Sequence, residues 1–243
     1  MSRILVFVPA YNEHVKLKSV IDRFLKSPAR AIADYLVVDD GSDDETPAVI
    51  RSFAASNIRV IRHEKRSGVG AAIRTAIKFA CANGYDILVV MAGNDKDSPD
   101  EIPRVLEPIL KQGFDFVQGS RYKGQVGTGG DMPLYRKFAT RLHPWLMSLF
   151  TGTRITDSTN GFRAFRLKIF DDKAIDIDQP WLDSYELEPY ILFKIIKLGY
   201  KFTEVFVTKI YPPRKLGYTK MQPFVGWWSI LRPVFYLGLG IKS

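Results

Sequence analysis

Short apolar runs alternate with amphipathic segments along most of the chain. The predicted strands lie near residues 3–8, 36–38, 59–62, 86–91, 114–118 and 202–207. Apolar runs without alternation are typical of buried parallel strands. Between them, apolar residues recur at helical spacing, as Leu17, Val20, Ile21 and Leu25 do. This alternation predicts an α/β fold with a mostly parallel, Rossmann-like sheet and helices on both of its faces.

The chain changes character after about residue 210. A Pro-Pro-Arg-Lys sequence at 212–215 breaks it, and residues 224–241 are rich in Trp, Phe, Leu and Val but interrupted by Arg232 and Pro233. This segment is too broken to span a bilayer, although its aromatic and basic residues suit the headgroup boundary. We therefore predict an α/β domain over residues 1–210 and a basic, aromatic-rich amphipathic tail over residues 211–243. The tail lies at a membrane interface or packs on the domain.

The charge of the chain indicates an anionic partner. Its 243 residues include 35 Lys and Arg against 26 Asp and Glu, a formal net charge of +9. Because no nucleic-acid-binding motif is present, a nucleotide or a phospholipid surface is expected and a nucleic acid is not. Cys81 is the one cysteine, so no internal disulfide can form, and we interpret it as a small core residue. The N-terminus shows no signal-peptide pattern, and we expect a reducing, cytoplasmic compartment.

An acidic stretch follows the second predicted strand. A Leu-Val-Val run at 36–38 leads directly into Asp39 and Asp40. Ligands bind at the carboxyl ends of strands in open α/β sheets, and buried carboxylates need hydrogen-bond donors. A nucleoside offers such donors in a base N–H and two ribose hydroxyls. The alternative interpretation is a helix start with Ser42 and Glu45 as a capping box, and both can hold if Asp39 and Asp40 are left for the ligand.

Polar residues also follow later strands. Residues 94–97, Asn-Asp-Lys-Asp, come after the fourth strand, and Arg121 comes after the fifth. A further polar turn at 157–163 leads into a short strand. Gly68 and Gly70 open a helix, but the dinucleotide-binding fingerprint is incomplete, so we interpret them as a tight helix entry.

Five motifs in this order and spacing resemble glycosyltransferase family 2. They are VPAYNE (Val8 to Glu13), VVDDGSDDET (Val37 to Thr46), GSRY (Gly119 to Tyr122), PLYRK (Pro133 to Lys137) and DSTNGFRAFR (Asp157 to Arg166). The resemblance covers about residues 3–222 and is greatest to the dolichyl- and polyprenyl-phosphate sugar synthases. It implies the GT-A fold and an inverting transfer of one sugar from a UDP- or GDP-sugar to a polyprenyl or dolichyl phosphate. Such an enzyme would be peripheral on the cytoplasmic face of a membrane.

The resemblance implies roles for individual residues. The nucleotide-sugar side comprises Pro9, Tyr11, Glu13, Asp39, Asp40, Asn94 and Lys96. The acceptor-phosphate side comprises Arg121, Arg136, Arg163, Arg214 and Lys220. Arginine forks match phosphate oxygens, and an acceptor phosphate is already a nucleophile that needs alignment rather than a strong base. The candidate catalytic residues are Asp95, Asp97, Arg121 and Asp157, with Asp157 as the base for a hydroxyl acceptor.

The chain departs from the family at the metal-binding motif. The family's Asp-x-Asp aligns with Ala92 and Asn94, and Lys96 stands where a glutamine can join the metal shell. Two explanations are open. A slipped motif of Asn94, Asp95 and Asp97 binds Mg²⁺ or Mn²⁺ through oxygen ligands, or Lys96 itself lies against the diphosphate in place of the ion. We favour an altered metal site over none.

Three functions are compatible with the sequence. The first is sugar transfer to a polyprenyl phosphate, and the second is transfer to a hydroxyl acceptor on a saccharide, lipid or protein. The third is nucleotide binding without transferase activity, which the missing aspartates suggest. Because fold and motif do not fix function, the arrangement of the site has to decide among them.

Overall fold

The computed structural model describes residues 2–56, 58–124, 132, 134–210 and 224–242, with the backbone alone for 134–136. The strands of the described part are β1 (Ile4–Ala10), β2 (Asp34–Asp39), β3 (Arg59–Arg62), β4 (Ile87–Val90), β5 (Phe116–Ser120), β6 (Arg163–Arg166) and β7 (Phe202–Phe206). They form one sheet in the order β3-β2-β1-β4-β6-β5-β7. β6 is antiparallel to both of its neighbours, and the other pairs are parallel.

Helices connect the strands. They are α1 (His14–Lys26), α2 (Thr46–Ser52), α3 (Val69–Ala82), α4 (Ile102–Gln112), α5 (Leu134–Thr151), α6 (Leu187–Lys197) and α7 (Val225–Gly238). Short 3₁₀ turns lie at Pro28–Ala31, Ala54–Ser56, Pro99–Glu101, Leu167–Asp171 and Pro180–Leu182.

Helices cover both faces of the sheet, as predicted, because a strand places alternate side chains on opposite faces. In β1, Val6 and Val8 face the core that α1 and α4 cover, whereas Leu5 and Phe7 face the core that α3 and α6 cover. All four side chains are fully buried. Each such burial stabilises the fold by about 1.5–3 kcal/mol, which explains why the strand has no polar position.

The strand directions bring several chain segments to one edge of the sheet. β1, β2, β4, β5 and β7 all run in the same direction, so their carboxyl ends share an edge. β6 runs the opposite way, and its first residue, Arg163, therefore lies at that same edge. Ligands bind at this edge in open α/β sheets.

Two local predictions were wrong. α2 begins at Thr46 without a side-chain cap from Glu45, so Ser42 and Glu45 do not form a capping box. The Ser42 hydroxyl instead accepts a hydrogen bond from the Asn12 backbone N–H at 3.1 Å. Cys81 is exposed rather than in the core.

The helix of the predicted tail packs on the domain. The rings of Phe235 and Tyr236 lie 6.0 Å from Phe150 and 5.8 Å from Trp181, respectively. Arg232 of α7 forms an ion pair of 2.5 Å with Glu186. The earlier part of the tail, residues 211–223, lies outside the described residues. Within the described ranges, no helix is both long and apolar enough to cross a bilayer.

Candidate active site

A cavity of about 390 Å³ opens at the edge where β1, β2, β4 and β5 end. The residues that follow these strands form one side of it, and α5 and α7 form the other. Of the residues predicted from the sequence, those that line it are Pro9, Tyr11, Glu13, Asp40, Asn94, Lys96 and Arg121. The fold thus brings most of the predicted donor side together around one space.

The loops after β1 and β2 are held together as one unit. The Asp40 backbone N–H donates to the Ala10 carbonyl at 2.8 Å, and the Glu13 N–H donates to Thr46 Oγ1 at 2.9 Å. Tyr11 lies under the guanidinium of Arg66, whose carbon is 4.4 Å from the ring centre. An aromatic ring and a cation are therefore fixed next to each other at the cavity wall.

Asp40 is buried and accepts three hydrogen bonds from the protein. Its Oδ1 accepts from His63 Nδ1 at 2.7 Å and from the Ser67 N–H at 2.8 Å, and its Oδ2 accepts from the Gly68 N–H at 2.8 Å. Gly68 has φ +104, a conformation that favours glycine, and a Cβ on Gly70 would lie 2.0 Å from a carbonyl oxygen. Gly68 and Gly70 therefore form the predicted tight helix entry, which positions the Asp40 carboxylate.

Asp39 keeps one carboxylate oxygen without a hydrogen-bond partner. Its Oδ1 accepts from the Ser42 N–H at 3.0 Å. Its Oδ2 is buried and makes no hydrogen bond within the described residues, although Arg62 Nε lies 3.6 Å away. Asp39 does not line the cavity, but because an unsatisfied buried acceptor is costly, its Oδ2 is the oxygen of this loop with capacity for a further donor.

Asp95 is turned away from the cavity. Its backbone has φ +58, and its carboxylate accepts from Arg23 Nη1 at 2.8 Å and from Ser19 Oγ at 2.7 Å. Both partners belong to α1. The left-handed turn at Asp95 thus directs this carboxylate into a partly exposed ion pair with the helix.

Asp97 belongs to the same loop and is buried. Its Oδ2 accepts from the Ala92 N–H at 3.0 Å, and its Oδ1 lies 2.8 Å from Lys209 Nζ. Lys209 follows β7 and lines the cavity. Both oxygens of Asp97 are therefore used by groups of the protein.

This loop does not fit a divalent cation. Its two carboxylates are engaged by α1 and by Lys209, so the predicted ligand set of Asn94, Asp95 and Asp97 is not assembled. Asn94 Oδ1 is buried without a partner in the described part of the chain, but it is a single neutral ligand. Across the described residues there is also no group of three or more His, Cys, Asp and Glu that could hold a metal ion. Mg²⁺ and Mn²⁺ prefer several oxygen ligands, with carboxylates among them.

Arg121 and Asp157 form a buried bidentate ion pair. Arg121 Nε lies 2.6 Å from Oδ2 and Nη2 lies 2.7 Å from Oδ1, and Nη2 also donates to Thr159 Oγ1 at 2.5 Å. Burial alone would raise the pKa of Asp157, but the charge and hydrogen bonds of Arg121 outweigh it and lower the pKa below its usual range. A carboxylate with a lowered pKa and both oxygens occupied is a poor general base.

Arg163 does not line the cavity. Its Nη2 donates to the Asn160 carbonyl at 2.7 Å and pairs with Glu188 at 3.1 Å, and burial lowers its pKa. These contacts hold the turn at residues 157–163 in place. Of the other predicted phosphate-binding residues, the side chain of Arg136 and all of Arg214 and Lys220 lie outside the described residues.

Three residues of the site were not predicted from the sequence. Arg66 follows a run of charged residues after β3 and precedes the α3 glycines, which is a signal that could have found it. His143 of α5 is buried, with Nδ1 2.6 Å from Ser158 Oγ and Nε2 3.0 Å from the Ile230 carbonyl, and burial lowers its pKa to about 4. Lys209 stands in no motif, and its partner Asp97 is 112 positions away.

A parallel sheet interrupted by one antiparallel strand, with a cavity at the ends of the parallel strands, has the architecture of the GT-A fold. Comparison with known proteins agrees. The family model described as "Glycosyl transferase family 2" matches residues 5–175. The chain therefore belongs to glycosyltransferase family 2, a family of enzymes that transfer sugars.

Relatives with assigned activities cover nearly the whole chain. An undecaprenyl-phosphate mannosyltransferase of Micrococcus luteus is 32% identical over 90% of this chain and 88% of its own length. A dolichyl-phosphate hexose transferase of Haloferax volcanii is 29% identical over 92% and 88%. Among solved structures, glucosyl-3-phosphoglycerate synthase from Mycobacterium tuberculosis, in complex with Mn²⁺, UDP and phosphoglyceric acid, superposes with a TM-score of 0.70 at 20% identity. The superposition covers 100% of this chain and 80% of the synthase chain. At that identity it shows the shared fold alone.

Proposed function

We propose that the protein transfers a single sugar, with inversion, from a nucleoside diphosphate sugar to a polyprenyl phosphate at a membrane surface. The donor is a UDP- or GDP-sugar, and the reaction takes place on the cytoplasmic face. The acceptor assignment rests on one observation: every carboxylate that lines the cavity in the described part of the chain is already paired.

The donor side suits a nucleoside. The unpartnered Oδ2 of Asp39 would accept a hydrogen bond from a base N–H or a ribose hydroxyl. At the cavity wall, Tyr11 and Arg66 offer a flat surface and a positive charge. Lys96 lines the part of the cavity next to the β4 loop, where it would face the diphosphate.

The acceptor side suits a phosphate better than a hydroxyl. The carboxylates that line the cavity are Glu13, which pairs with Lys16 at 3.1 Å, Glu188, which pairs with Arg163, and the triply bonded Asp40. Asp157 is held by Arg121 with a lowered pKa. A hydroxyl acceptor would need one of them as a base, whereas a phosphate is ionised near neutral pH and attacks the sugar carbon without one. Arg121, at the cavity wall, would align it.

The far wall of the cavity suits an isoprenoid chain. Leu142 of α5 and Ile230 and Leu231 of α7 line it, and these two helices also carry exposed apolar side chains on their outer surface. An apolar wall that continues to the protein surface would let the lipid enter from a bilayer while its phosphate reaches the polar end.

We define the apolar surface as the exposed side chains of Phe138, Trp145 and Leu149 on α5 and Val225 and Trp228 on α7. The three α5 residues are 68%, 60% and 64% exposed and lie at spacings of seven and four, so they share one stripe of the helix. Exposed Lys137, Arg141 and Arg154 lie beside them. Aromatic and basic residues on one surface match an anionic lipid headgroup region.

A transfer assay tests the proposed acceptor. The purified chain is incubated in detergent with labelled UDP- and GDP-sugars and either a short-chain polyprenyl phosphate or the matching polyprenol. We expect label in the organic phase with the phosphate and none with the polyprenol. Label on the polyprenol would support a hydroxyl acceptor instead, and nucleotide binding without transfer to any acceptor would support a binding protein.

Vesicle flotation tests the apolar surface. Vesicles of phosphatidylcholine with phosphatidylglycerol should carry the protein upward in a density gradient. Trp145→Glu and Trp228→Glu should each weaken the partition by about 10-fold or more, because burial of a large apolar side chain contributes about 1.5–3 kcal/mol. Leu110→Glu on α4, whose side chain is 45% exposed, is the matched control and should leave flotation unchanged. An equal loss in all three variants would contradict this surface.

A further inference from the structure

The loop after β4 is closed by a cation that the chain itself supplies. Lys209 Nζ lies 2.8 Å from Asp97 Oδ1 and 2.7 Å from Asn160 Oδ1, and the lysine side chain is 9% exposed. The Ile210 N–H also donates to the Lys96 carbonyl at 3.0 Å, so the segment after β7 is attached to this loop by its backbone. The ammonium group is therefore fixed in position, next to the part of the cavity that Lys96 and Asn94 line.

The ammonium group retains a donor for a ligand. A protonated lysine has three N–H donors, and the described contacts of Lys209 use two of them. Lys209 also lines the cavity, so the third donor has access to a bound molecule. A buried ammonium in a site of low polarity interacts strongly with a phosphate oxygen because little water screens it.

We propose that Lys209 contacts the diphosphate of the donor and, with Lys96, supplies the positive charge that stabilises the leaving nucleoside diphosphate in place of a divalent ion. This inference rests on the proposed function. The bond between the sugar carbon and the diphosphate oxygen breaks as the acceptor phosphate oxygen bonds to the same carbon. The electron pair goes to the departing diphosphate, and lysine ammonium groups offset the charge that develops there.

The same loop disfavours a metal ion for two reasons. The carboxylates that could hold one are already engaged, Asp97 by Lys209 and Asp95 by Arg23. A divalent ion bound to Asn94 Oδ1 would also share the cavity with Lys209 and Lys96, and like charges in a buried site repel. We therefore expect the diphosphate to be held by the lysine or by an ion, but not by both.

A structural role for the ion pair has to be separated from contact with the diphosphate. Lys209→Met alone would leave the buried Asp97 charge without a partner and could unfold the loop. The double variant Lys209→Met/Asp97→Asn removes both charges, so the loop no longer contains an unpaired ion. Lys197→Met, on the exposed end of α6, is the matched control.

The experiment is calorimetric titration of the full chain in chelator with UDP and GDP, and with the corresponding nucleosides uridine and guanosine. We expect the double variant to bind its diphosphate about 10- to 100-fold more weakly, since one hydrogen bond to a charged group is lost. Its affinity for the nucleoside should stay within about twofold of that of the unmodified chain. The unmodified chain and Lys197→Met should bind the diphosphate equally well with and without chelator.

Three outcomes would overturn the inference. Unchanged diphosphate affinity in the double variant would make Lys209 a structural residue only. If the unmodified chain binds the diphosphate only when Mn²⁺ is added, a metal ion rather than Lys209 holds the diphosphate. Absence of binding by any nucleotide, with or without Mn²⁺, would overturn the proposed function and this role together, whereas nucleotide binding without sugar transfer would overturn the proposed function alone.

Discussion

The two sides of the cavity use their carboxylates in different ways. On the donor side, Asp39, which is not one of the residues that line the cavity, keeps a buried oxygen without a hydrogen-bond partner in the described residues, and Asp40 is held mostly by backbone N–H groups. On the acceptor side, Asp157 and Glu188 are each paired with a buried arginine. The donor side therefore has acceptor capacity left for a ligand, whereas the acceptor side is internally satisfied and offers mainly shape, apolar surface and positive charge.

The comparison shows that an acidic residue in a motif is informative only together with its partners. Asp95 and Asp97 look like ligands in the sequence, yet one is bound to α1 and the other to Lys209. Substitutions that remove one partner at a time test this difference between the donor side and the acceptor side.

The largest effect is expected where the acceptor side is most completely paired. Arg121→Met leaves the fully buried Asp157 carboxylate without its partner, and breaking such a pair costs about 3–5 kcal/mol in the free energy of unfolding. Urea unfolding would measure it. The control is Arg104→Met, whose ion pair with Glu101 is 51% exposed on the arginine side and should cost less than about 1 kcal/mol. Similar losses in both variants would show that the buried Arg121–Asp157 pair stabilises the fold no more than the exposed Arg104–Glu101 pair does.

A pH effect of intermediate size is expected from His143. Burial lowers the pKa of this group to about 4, against 6.5 for an ordinary histidine, with Asp157 and Arg163 as the nearby charges. The unfolded chain therefore binds more protons between these two values. The stability is fully present above about pH 6.5 and falls by roughly 1.4 kcal/mol per pH unit as the pH drops towards 4.

Denaturant unfolding at several pH values would measure this slope. His143→Gln, which can keep contacts with Ser158 and the Ile230 carbonyl, should flatten it. His14→Gln on α1, where the side chain is 39% exposed, should leave the slope in place. A slope that survives in His143→Gln would mean that another group carries it.

A binding effect of comparable size is expected on the donor side. Asp39→Asn retains an oxygen for the Ser42 N–H but removes the negative charge from the unpartnered position. A hydrogen bond to a charged group contributes about 1.5–3 kcal/mol, so affinity for the nucleoside part of the donor should fall about 10- to 100-fold. Calorimetric titration with uridine and guanosine would measure it, with the exposed Asp43→Asn as control. Equal affinities would mean that Asp39 does not contact the ligand.

The fold could be predicted from the sequence because its signals are local. β3 spans the residues predicted for it, 59–62, and the alternation of strands with helices gave both covered faces of the sheet. The antiparallel direction of β6 could not be predicted, since a strand of four residues carries no sign of its direction.

The site could be predicted only in part for a similar reason. The strand-end motifs placed Asp40, Asn94 and Arg121 at one cavity because the topology collects strand ends there. The partners of Asp95 and Asp97 could not be predicted, because they depend on a left-handed turn and on contacts 72 and 112 positions away in the chain. Which carboxylate keeps an unused oxygen is a property of tertiary packing rather than of the motif.

The smallest effect is expected at Asp95. Asn is among the residues that tolerate the left-handed conformation at φ +58, so Asp95→Asn keeps the turn and removes only the charge that pairs with Arg23. That pair is 38% and 27% exposed, and its loss should cost less than about 1 kcal/mol in urea unfolding. Because the carboxylate points to α1 rather than into the cavity, sugar transfer and diphosphate affinity should match those of the unmodified chain. A large loss of transfer that added Mn²⁺ partly restores would instead make Asp95 a metal ligand, and the donor side would then depend on an ion rather than on lysine.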